Sequence, residues 1–290
     1  MITKSDHQDD NPAGDPDKLI TNIMPEGPEI ATCAHQLSAL VGSTITNWWY
    51  SNDAKISGLD PIFPEIIRHV ISYGKKLIIV GDHRIYIFSY GMEGRLSYHD
   101  DNPSLPYLRI LFILTLPSDE IKYVAFEDSR KLGNLVIAVD YSSIAKLGPD
   151  MLALSLSNEL TIPLIRDRLM RYPRRKLADT LIDQEVIAGI GNYLRSEIMF
   201  YARLYPLRIV NTLSETEWDM LARSISYVIM AAFHGNGLSI RSYISPNGSL
   251  GTYQCAVYHQ SSVTVDNVTY PVIRLPHSGR SLFYVPQLQI

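Results

Sequence analysis

The hydrophobic pattern of the chain changes at Leu147-Gly148-Pro149-Asp150, and this change limits the folds that the sequence can adopt. Before it, short runs rich in β-branched and aromatic residues are separated by Gly, Pro, Asn and Asp, which is typical of strands. The predicted strands are 44–50, 76–80, 85–89, 108–116 and 135–139. Residues 26–41 instead carry apolar side chains at helical spacing. This part is therefore predicted to be a mainly antiparallel β-sandwich or barrel with one flanking helix.

After the change, the pattern predicts helices. The candidates are residues 157–172, 176–182, 192–204 and 214–233. The last of these begins with a capping box, Ser214 with Glu217, and ends at Gly235. From Ser261 onward, residues 263–265, 268–272 and 282–285 again have strand character. We predict an α+β protein with two domains, residues 24–148 and 149–260, followed by a hairpin at 261–290.

Composition excludes several classes of protein. The chain of 290 residues has two cysteines, so a disulfide framework is not expected. We expect the protein to be in a reducing, intracellular compartment. No apolar run approaches the roughly 18 residues of a membrane span. Residues 1–23 contain five aspartates and two lysines, which predicts a disordered acidic extension rather than a secretory signal. The net charge of −4 means that any binding of nucleic acid depends on local basic clusters, such as residues 166–176.

Two motifs have spacings of chemical interest. Met24-Pro25-Glu26-Gly27-Pro28-Glu29 is, taken alone, a helix start with Pro and acidic residues in the first turn. In the second, Gly189 and Gly191 permit a tight turn between two helices, and the free N–H groups of the second helix can accept a phosphate. A plain packing corner explains these glycines equally well, but it explains Asn192 and Arg195 less readily.

The two motifs together resemble the Fpg/Nei family of DNA glycosylases. The segment 25–29 is similar to the family's N-terminal signature, and 189–197 to its helix-two-turns-helix (H2TH) motif. Further similar segments follow the family's order and spacing: 74–77 (a lysine-bearing strand), 91–96 and 128–133 (loops that fill the gap left by an extruded base) and 279–289 (the finger hairpin). Each match is short, but together they follow the family's order and spacing. The resemblance therefore extends from Met24 to Gln289.

The finger departs from the family pattern. The usual finger binds zinc through four cysteines, whereas Val285 and Leu288 occupy the last two ligand positions here. Cys33 and Cys255 are the only cysteines of the chain, so we expect a zinc-less finger, no metal and no cofactor. His259 and His277 are expected to be surface residues that do not replace the missing ligands.

The resemblance implies roles for individual residues. Pro25 would be the nucleophile through its α-amine, and Glu26 the general acid at the sugar ring oxygen. Lys75, Gly191, Asn192 and Arg280 would bind the phosphates beside the flipped nucleotide. The void in the duplex would be filled by Met92, Leu132 and either Arg130 or Lys131. Glu197 would either fix the Pro25 region or serve as an ordinary helix carboxylate.

The implied function is a bifunctional glycosylase and abasic-site lyase of base excision repair. It would act as a monomer on damaged double-stranded DNA, with single-stranded DNA as a further partner, and cut by β,δ-elimination. Oxidised pyrimidines such as thymine glycol are the expected main substrates, and further-oxidised purines are additional ones. The pocket loop around 242–252 is expected to set this preference.

The position of Pro25 leaves alternatives open. Within a longer chain its nitrogen is a tertiary amide, which cannot form an iminium ion. We therefore expect an active form whose translation starts at Met24 and which then loses that methionine, or a form whose extension is cleaved. A different mechanism, with Lys75 or Lys76 as the amine, is the remaining alternative. The alternative from another class is a non-catalytic reader of damaged DNA with Pro25 blocked. A purely structural helix-turn-helix scaffold leaves Glu26, Lys75, Asn192 and Arg280 unexplained.

Overall fold

The computed structural model describes residues 24–239 and 245–290. The predicted acidic extension, residues 1–23, lies outside the described residues, as do the first positions of the predicted pocket loop, through residue 244. Across the described part of the chain, no helix has the length and apolar character needed to cross a membrane.

The first part of the chain is a helix followed by a β-sandwich. Helix α1 (Gly27–Leu37) continues into a 3₁₀ turn, Ser38–Leu40. Strands β1 to β9 are Thr44–Tyr50, Ile56–Gly58, Glu65–Tyr73, Lys76–Gly81, Ile85–Ser89, Arg95–His99, Leu108–Thr115, Ile121–Glu127 and Asn134–Ala138. They pair in the order β2-β9-β5-β4-β3-β1-β7-β8-β6. All pairs are antiparallel except β2 with β9, which confirms the predicted sandwich.

The sandwich closes around one apolar core, to which α1 contributes its inner face. Ile30, Cys33 and Leu37 of α1 are buried against Ile67 and Leu77 of β3 and β4. Strands β2, β3, β6 and β8 were not predicted. In β3 the apolar alternation is interrupted at Arg68 and His69, where the register with β4 shifts. A bulge of this kind removes the period of two on which strand prediction depends.

The second part of the chain is helical. Helices α2 to α6 are Met151–Leu156, Ile162–Leu169, Leu177–Leu181, Asn192–Tyr201 and Glu215–His234. The predicted helix 157–172 is present as α3 but is shorter, because Asn158 adopts a left-handed conformation with φ of 58° and lies between α2 and α3. Thr161 caps α3, and Pro163 falls in its first turn, where the missing N–H costs nothing. The capping box at Ser214 and Glu217 is confirmed at the start of α6.

The finger consists of two hairpins rather than the single one predicted. Strands β10 (Ser262–Val265) and β11 (Val268–Pro271) form the first, and β12 (Ile273–His277) and β13 (Arg280–Tyr284) the second. Strand β12 was missed because Pro276 lies within it, and proline normally argues against a strand. Leu282, Phe283 and Val285 are buried in the core of the helical part.

The residues of the finger do not fit a zinc site. Val285 is fully buried among apolar side chains, and both cysteines of the chain are free thiols outside the finger. Across residues 24–239 and 245–290, no group of three or more His, Cys, Asp or Glu side chains is arranged to hold a metal ion. Apolar packing onto the helices therefore takes the place of metal coordination.

The two parts of the chain meet where α1 begins. Gly27 N–H donates to the carbonyl of Gly189 at 2.9 Å, and Gly74 N–H donates to the Asp150 carboxylate at 2.8 Å. The approach is so close that a Cβ on Gly27 would lie 3.1 Å from Gly189 Cα, and Gly189 itself has a φ of +99°. Glycine is favoured at position 27 by the close contact and at position 189 by the positive φ. The contact brings Glu26 and Lys75 to the N-terminus of α5.

Candidate active site

The carboxylate of Glu26 caps the N-terminus of α5. It accepts hydrogen bonds from Gly191 N–H at 2.6 Å, Tyr193 N–H at 3.0 Å and Leu194 N–H at 3.3 Å. These are the N–H groups that have no partner within a helix, and the helix dipole favours an anion beside them. The Gly191 N–H, which was expected to face a DNA phosphate, donates to the Glu26 carboxylate in this structure.

Burial governs the protonation of Glu26. The side chain is 2% exposed, and loss of water raises the pKa of this carboxyl to about 7, while Lys75 lowers it and Glu29 raises it. Hydrogen bonds from Tyr193 and Gly191 favour the charged form and offset part of the burial effect. A carboxyl group with a pKa near neutrality can both give and take a proton under physiological conditions. Glu26 is thus suited to general acid–base chemistry.

Lys75 lies beside this carboxylate. A Cβ on Gly191 would lie 2.5 Å from Lys75 Nζ and would also overlap the Glu26 carboxylate. Burial lowers the pKa of the Lys75 ammonium, Glu26 opposes that effect, and Arg280 adds to it. The Lys75 ammonium therefore interacts electrostatically with both the Glu26 carboxylate and the Arg280 guanidinium.

Glu29 holds the backbone of Glu26 in place. Its carboxylate accepts the Glu26 N–H at 2.9 Å, the Tyr193 hydroxyl at 2.9 Å and the Leu238 N–H at 3.0 Å. The side chain is 1% exposed, and burial raises its pKa. Glu29 belongs to the motif at 24–29, but this role was not predicted, because Tyr193 and Leu238 are distant in the chain.

A cleft of about 470 Å³ opens in front of Glu26. Of the predicted site residues, it brings together Glu26, Met92, Asn192 and Arg280. Met24 also lines it, whereas Pro25 is buried immediately behind Met24.

Three further residues of the cleft were not predicted: Tyr258, His259 and Arg274. Asn192 Nδ2 donates to the Tyr258 hydroxyl at 3.2 Å and to the Ser281 carbonyl at 3.1 Å. His259 is exposed, as expected, and its ring also lies against Tyr258 and Phe283, with centroids 4.6 and 4.8 Å away. Its φ of 58° is unusual for a residue with a side chain. No spacing in the sequence marks these three residues, since tertiary packing alone brings them to the cleft.

The loops predicted to enter the duplex form one packed unit beside Met92. A Cβ on Gly91 would lie 2.7 Å from the backbone of Leu132, and Ser129 donates a hydrogen bond to Glu93. Arg130 Nη1 lies 3.9 Å from Glu93, and Lys131 Nζ lies 2.7 Å from Asp53. Leu132 is 45% exposed. Leu132 therefore projects from a surface that also carries both candidate cations.

Glu197 lies away from the cleft. It is fully buried in α5, where it accepts N–H groups of Ala256 at 2.7 Å, Val257 at 3.0 Å and Tyr258 at 2.8 Å. A side chain with no exposed surface makes no direct contact with DNA in this arrangement, which favours the interpretation of Glu197 as a helix carboxylate over a role in the Pro25 region. The carboxylate instead fixes the turn that presents Tyr258 to the cleft.

Comparison with known proteins identifies the family. Residues 24–135 match the formamidopyrimidine-DNA glycosylase N-terminal domain, and residues 147–243 match the formamidopyrimidine-DNA glycosylase H2TH domain. These two matches cover more than half of the chain. Similar curated proteins include the formamidopyrimidine-DNA glycosylase of Cytobacillus firmus, 27% identical over 92% of this chain and 100% of that protein. The endonuclease 8 of Pectobacterium atrosepticum is also 27% identical, with the same coverage.

Solved structures share the fold. The MutM (Fpg) protein of Thermus thermophilus is 28% identical, with a TM-score of 0.79 over 91% of this chain and 98% of that one. A mutant FPG of Lactococcus lactis bound to Fapy-dG-containing DNA is 23% identical, with a TM-score of 0.81 over 91% of this chain and 99% of that one. The chain belongs to the Fpg/Nei family of DNA glycosylases.

Proposed function

We propose that this chain is a bifunctional DNA glycosylase and abasic-site lyase of base excision repair. The observation that carries the proposal is the Glu26 carboxyl group, whose pKa is raised to about 7 and which borders the cleft beside Pro25 and Lys75. Family membership supports the same reaction, since the relatives are named for it. The protein would work inside the cell where DNA is present, as a monomer and without a cofactor.

In the proposed mechanism, Pro25 attacks through its α-amine. The lone pair of the nitrogen forms a bond to C1′ of the sugar, and the bond from C1′ to the base breaks with its electrons leaving on the base, which takes up the proton that the Pro25 nitrogen releases. Glu26 donates a proton to the ring oxygen as the ring opens, which leaves an iminium ion between Pro25 and C1′. The iminium ion withdraws electrons and acidifies the C2′ hydrogen. Loss of that proton expels the 3′ phosphate, and a second elimination expels the 5′ phosphate.

This mechanism requires Pro25 to be the N-terminal residue of the active form. A free secondary amine at a chain terminus has a pKa of roughly 8, so a useful fraction is uncharged at neutral pH. An amide nitrogen joined to Met24 has no such lone pair. We infer that the working enzyme begins at Pro25, with Met24 and the residues before it removed.

Damaged double-stranded DNA is the proposed partner, and single-stranded DNA is a further one. Lys75, Asn192 and Arg280 would contact the phosphates beside the flipped nucleotide, Arg280 through two parallel hydrogen bonds. Met92, Leu132 and one of Arg130 and Lys131 would occupy the void. Oxidised pyrimidines are the proposed main substrates and further-oxidised purines the minor ones, because the zinc-less finger resembles that of Nei-like members.

A panel of damaged oligonucleotides tests the proposal. The form beginning at Pro25 would be incubated with duplexes that contain thymine glycol, a ring-opened purine, 8-oxoguanine or no lesion, with Glu26→Gln as the control. We expect cleavage with phosphate at both new ends, fastest at thymine glycol and slow at 8-oxoguanine. Cleavage fastest at 8-oxoguanine would refute the proposed substrate preference. Absence of cleavage at every lesion would refute the proposed glycosylase and lyase activity.

A non-catalytic reader of damaged DNA is the second candidate. It is favoured by the position of Met24, which lines the cleft with Pro25 behind it. Such a protein would bind a lesion-containing duplex tightly in every N-terminal form and leave the strand intact. The same panel therefore separates the two candidates.

A further inference from the structure

The second hairpin of the finger presents Arg280 at its tip. His277 and Arg280 pair directly across the hairpin, and the two turn residues between them, Ser278 and Gly279, have φ values of 49° and 73°. Positive φ at both central positions is the geometry of the tight turn that best fits a twisted hairpin. The Arg280 side chain is exposed and makes no hydrogen bond or ion pair with another described residue. Its direction therefore depends on how firmly the tip itself is held.

One side of the tip is held by a hydrogen-bonded contact between His277 and Asp179. His277 Nε2 lies 2.8 Å and 3.0 Å from the two carboxylate oxygens of Asp179 on α4. The two side chains are 11% and 27% exposed, so water competes little with the contact. The expectation that His277 is a surface residue is wrong, because its ring is enclosed between the tip and α4.

The other side of the tip is held by Asn192. Asn192 Nδ2 donates a hydrogen bond to the Ser281 carbonyl. The other amide atom of the same side chain, Oδ1, accepts a hydrogen bond from Arg195 Nη2 at 2.6 Å. Arg195 Nη1 in turn donates to the carbonyl of Ala178, the residue before Asp179. The contacts form a closed loop from α4 through the tip to α5 and back to α4.

We propose that the His277–Asp179 pair is a positioning clamp that aims Arg280 into the cleft and takes over the ordering role of the missing metal. His277 and Asp179 act through Arg280 and do not themselves contact the reacting atoms. Zinc would constrain the base of the hairpin, whereas this pair constrains its tip, adjacent to the guanidinium. This proposal rests on one part of the proposed function, namely that Arg280 contacts a DNA phosphate.

Binding of an abasic-site duplex tests the clamp without any chemistry. Dissociation constants for a tetrahydrofuran-containing duplex would be measured with the form beginning at Pro25, for His277→Ala, Asp179→Ala and Arg280→Ala and for each clamp variant combined with Arg280→Ala. Misplacement of a binding group by about 1 Å is known to reduce function up to 10²-fold, so we expect about ten-fold weaker binding for each clamp variant. In the Arg280→Ala background the same substitutions should change affinity by less than about two-fold, since interacting residues are non-additive.

The salt dependence distinguishes positioning from general destabilisation. Loss of one phosphate contact lowers the slope of log Kd against log salt by about 1, and we expect this decrease for His277→Ala as well as for Arg280→Ala. Combining His277→Asp with Asp179→His should restore affinity. His69→Ala, an exposed histidine of β3, and Asp219→Ala, in a surface ion pair of α6, are matched controls that should bind as the parent chain does.

The outcomes are distinct. Effects of His277→Ala that are equal with and without Arg280, or an unchanged salt slope, would overturn the clamp. A parent chain that binds abasic and undamaged duplexes equally would instead contradict the proposed function.

Discussion

Two buried glutamates near α5 have similar surroundings and different roles. Glu26 and Glu197 are at most 2% exposed, each accepts three backbone N–H groups, and burial raises the pKa of both. Only Glu26 borders the cleft and lies beside a lysine. A perturbed carboxyl group is therefore not by itself a catalytic one. In the proposed mechanism, access to substrate and the neighbouring Pro25 amine give Glu26 a catalytic role that Glu197 lacks.

The largest expected effect is that of Glu26→Gln. General acid–base groups contribute about 10²–10⁴-fold to rate, so single-turnover excision of thymine glycol should fall by that amount. Thermal melts run in parallel should show that the variant is folded at the assay temperature, so that the loss of activity is not caused by unfolding. Activity within about two-fold of the parent would remove Glu26 from the mechanism.

The comparison predicts the reverse pattern for Glu197→Ala. Three buried N–H groups lose their acceptor, and each unsatisfied group costs about 1–3 kcal/mol, so unfolding should become easier by at least about 3 kcal/mol. Urea denaturation measures this loss. Excision per folded molecule at low temperature should stay within about ten-fold of the parent, since Glu197 only positions Tyr258. Wild-type stability in this variant would contradict the structural role.

The pH dependence sharpens the distinction further. Because the folded-state pKa of Glu26 is raised to about 7, the proton that it donates is present below this pH and lost above it. Excision should therefore fall by up to about ten-fold per pH unit above pH 7. The stability that Glu26 contributes follows the same sign, being greatest below the ordinary carboxyl pKa and lost as pH rises through about 7. Glu26→Gln should accordingly gain stability relative to the parent between pH 5 and pH 8, which thermal melts can measure.

The smallest expected effects lie in the exposed loops. Leu132→Ala should weaken binding of a damaged duplex by about five-fold without changing stability, because an apolar wedge contributes to the bent, opened duplex. Arg130→Ala and Lys131→Ala, measured in parallel, identify the cation that enters the void. Loss of binding of an undamaged duplex to the same extent would show that the loop contributes only general charge.

Local sequence patterns predicted much of the fold and a smaller part of the site. The sandwich, the capping box of α6 and the zinc-less finger follow from period, caps and cysteine count. The break at Asn158 and strand β12 do not, because a left-handed asparagine and an internal proline carry no unambiguous local signal. Of the residues that the family motifs marked, Glu26, Asn192 and Arg280 line one cleft, and Lys75 lies beside Glu26. These contacts of Gly191, Glu29, Glu197 and His277 join residues 59 or more positions apart, which no local pattern encodes.

The central claim is that Pro25, as a free N-terminal amine, attacks the sugar beside Glu26. Borohydride reduction of the iminium ion would trap it as a covalent adduct with thymine glycol or abasic-site DNA, with the full chain and the form beginning at Pro25 compared in parallel. We predict an adduct only with the form beginning at Pro25, mapped to Pro25 by peptide sequencing. An adduct mapped to Lys75 or Lys76, or tight binding of damaged DNA with no adduct in either form, would contradict the account.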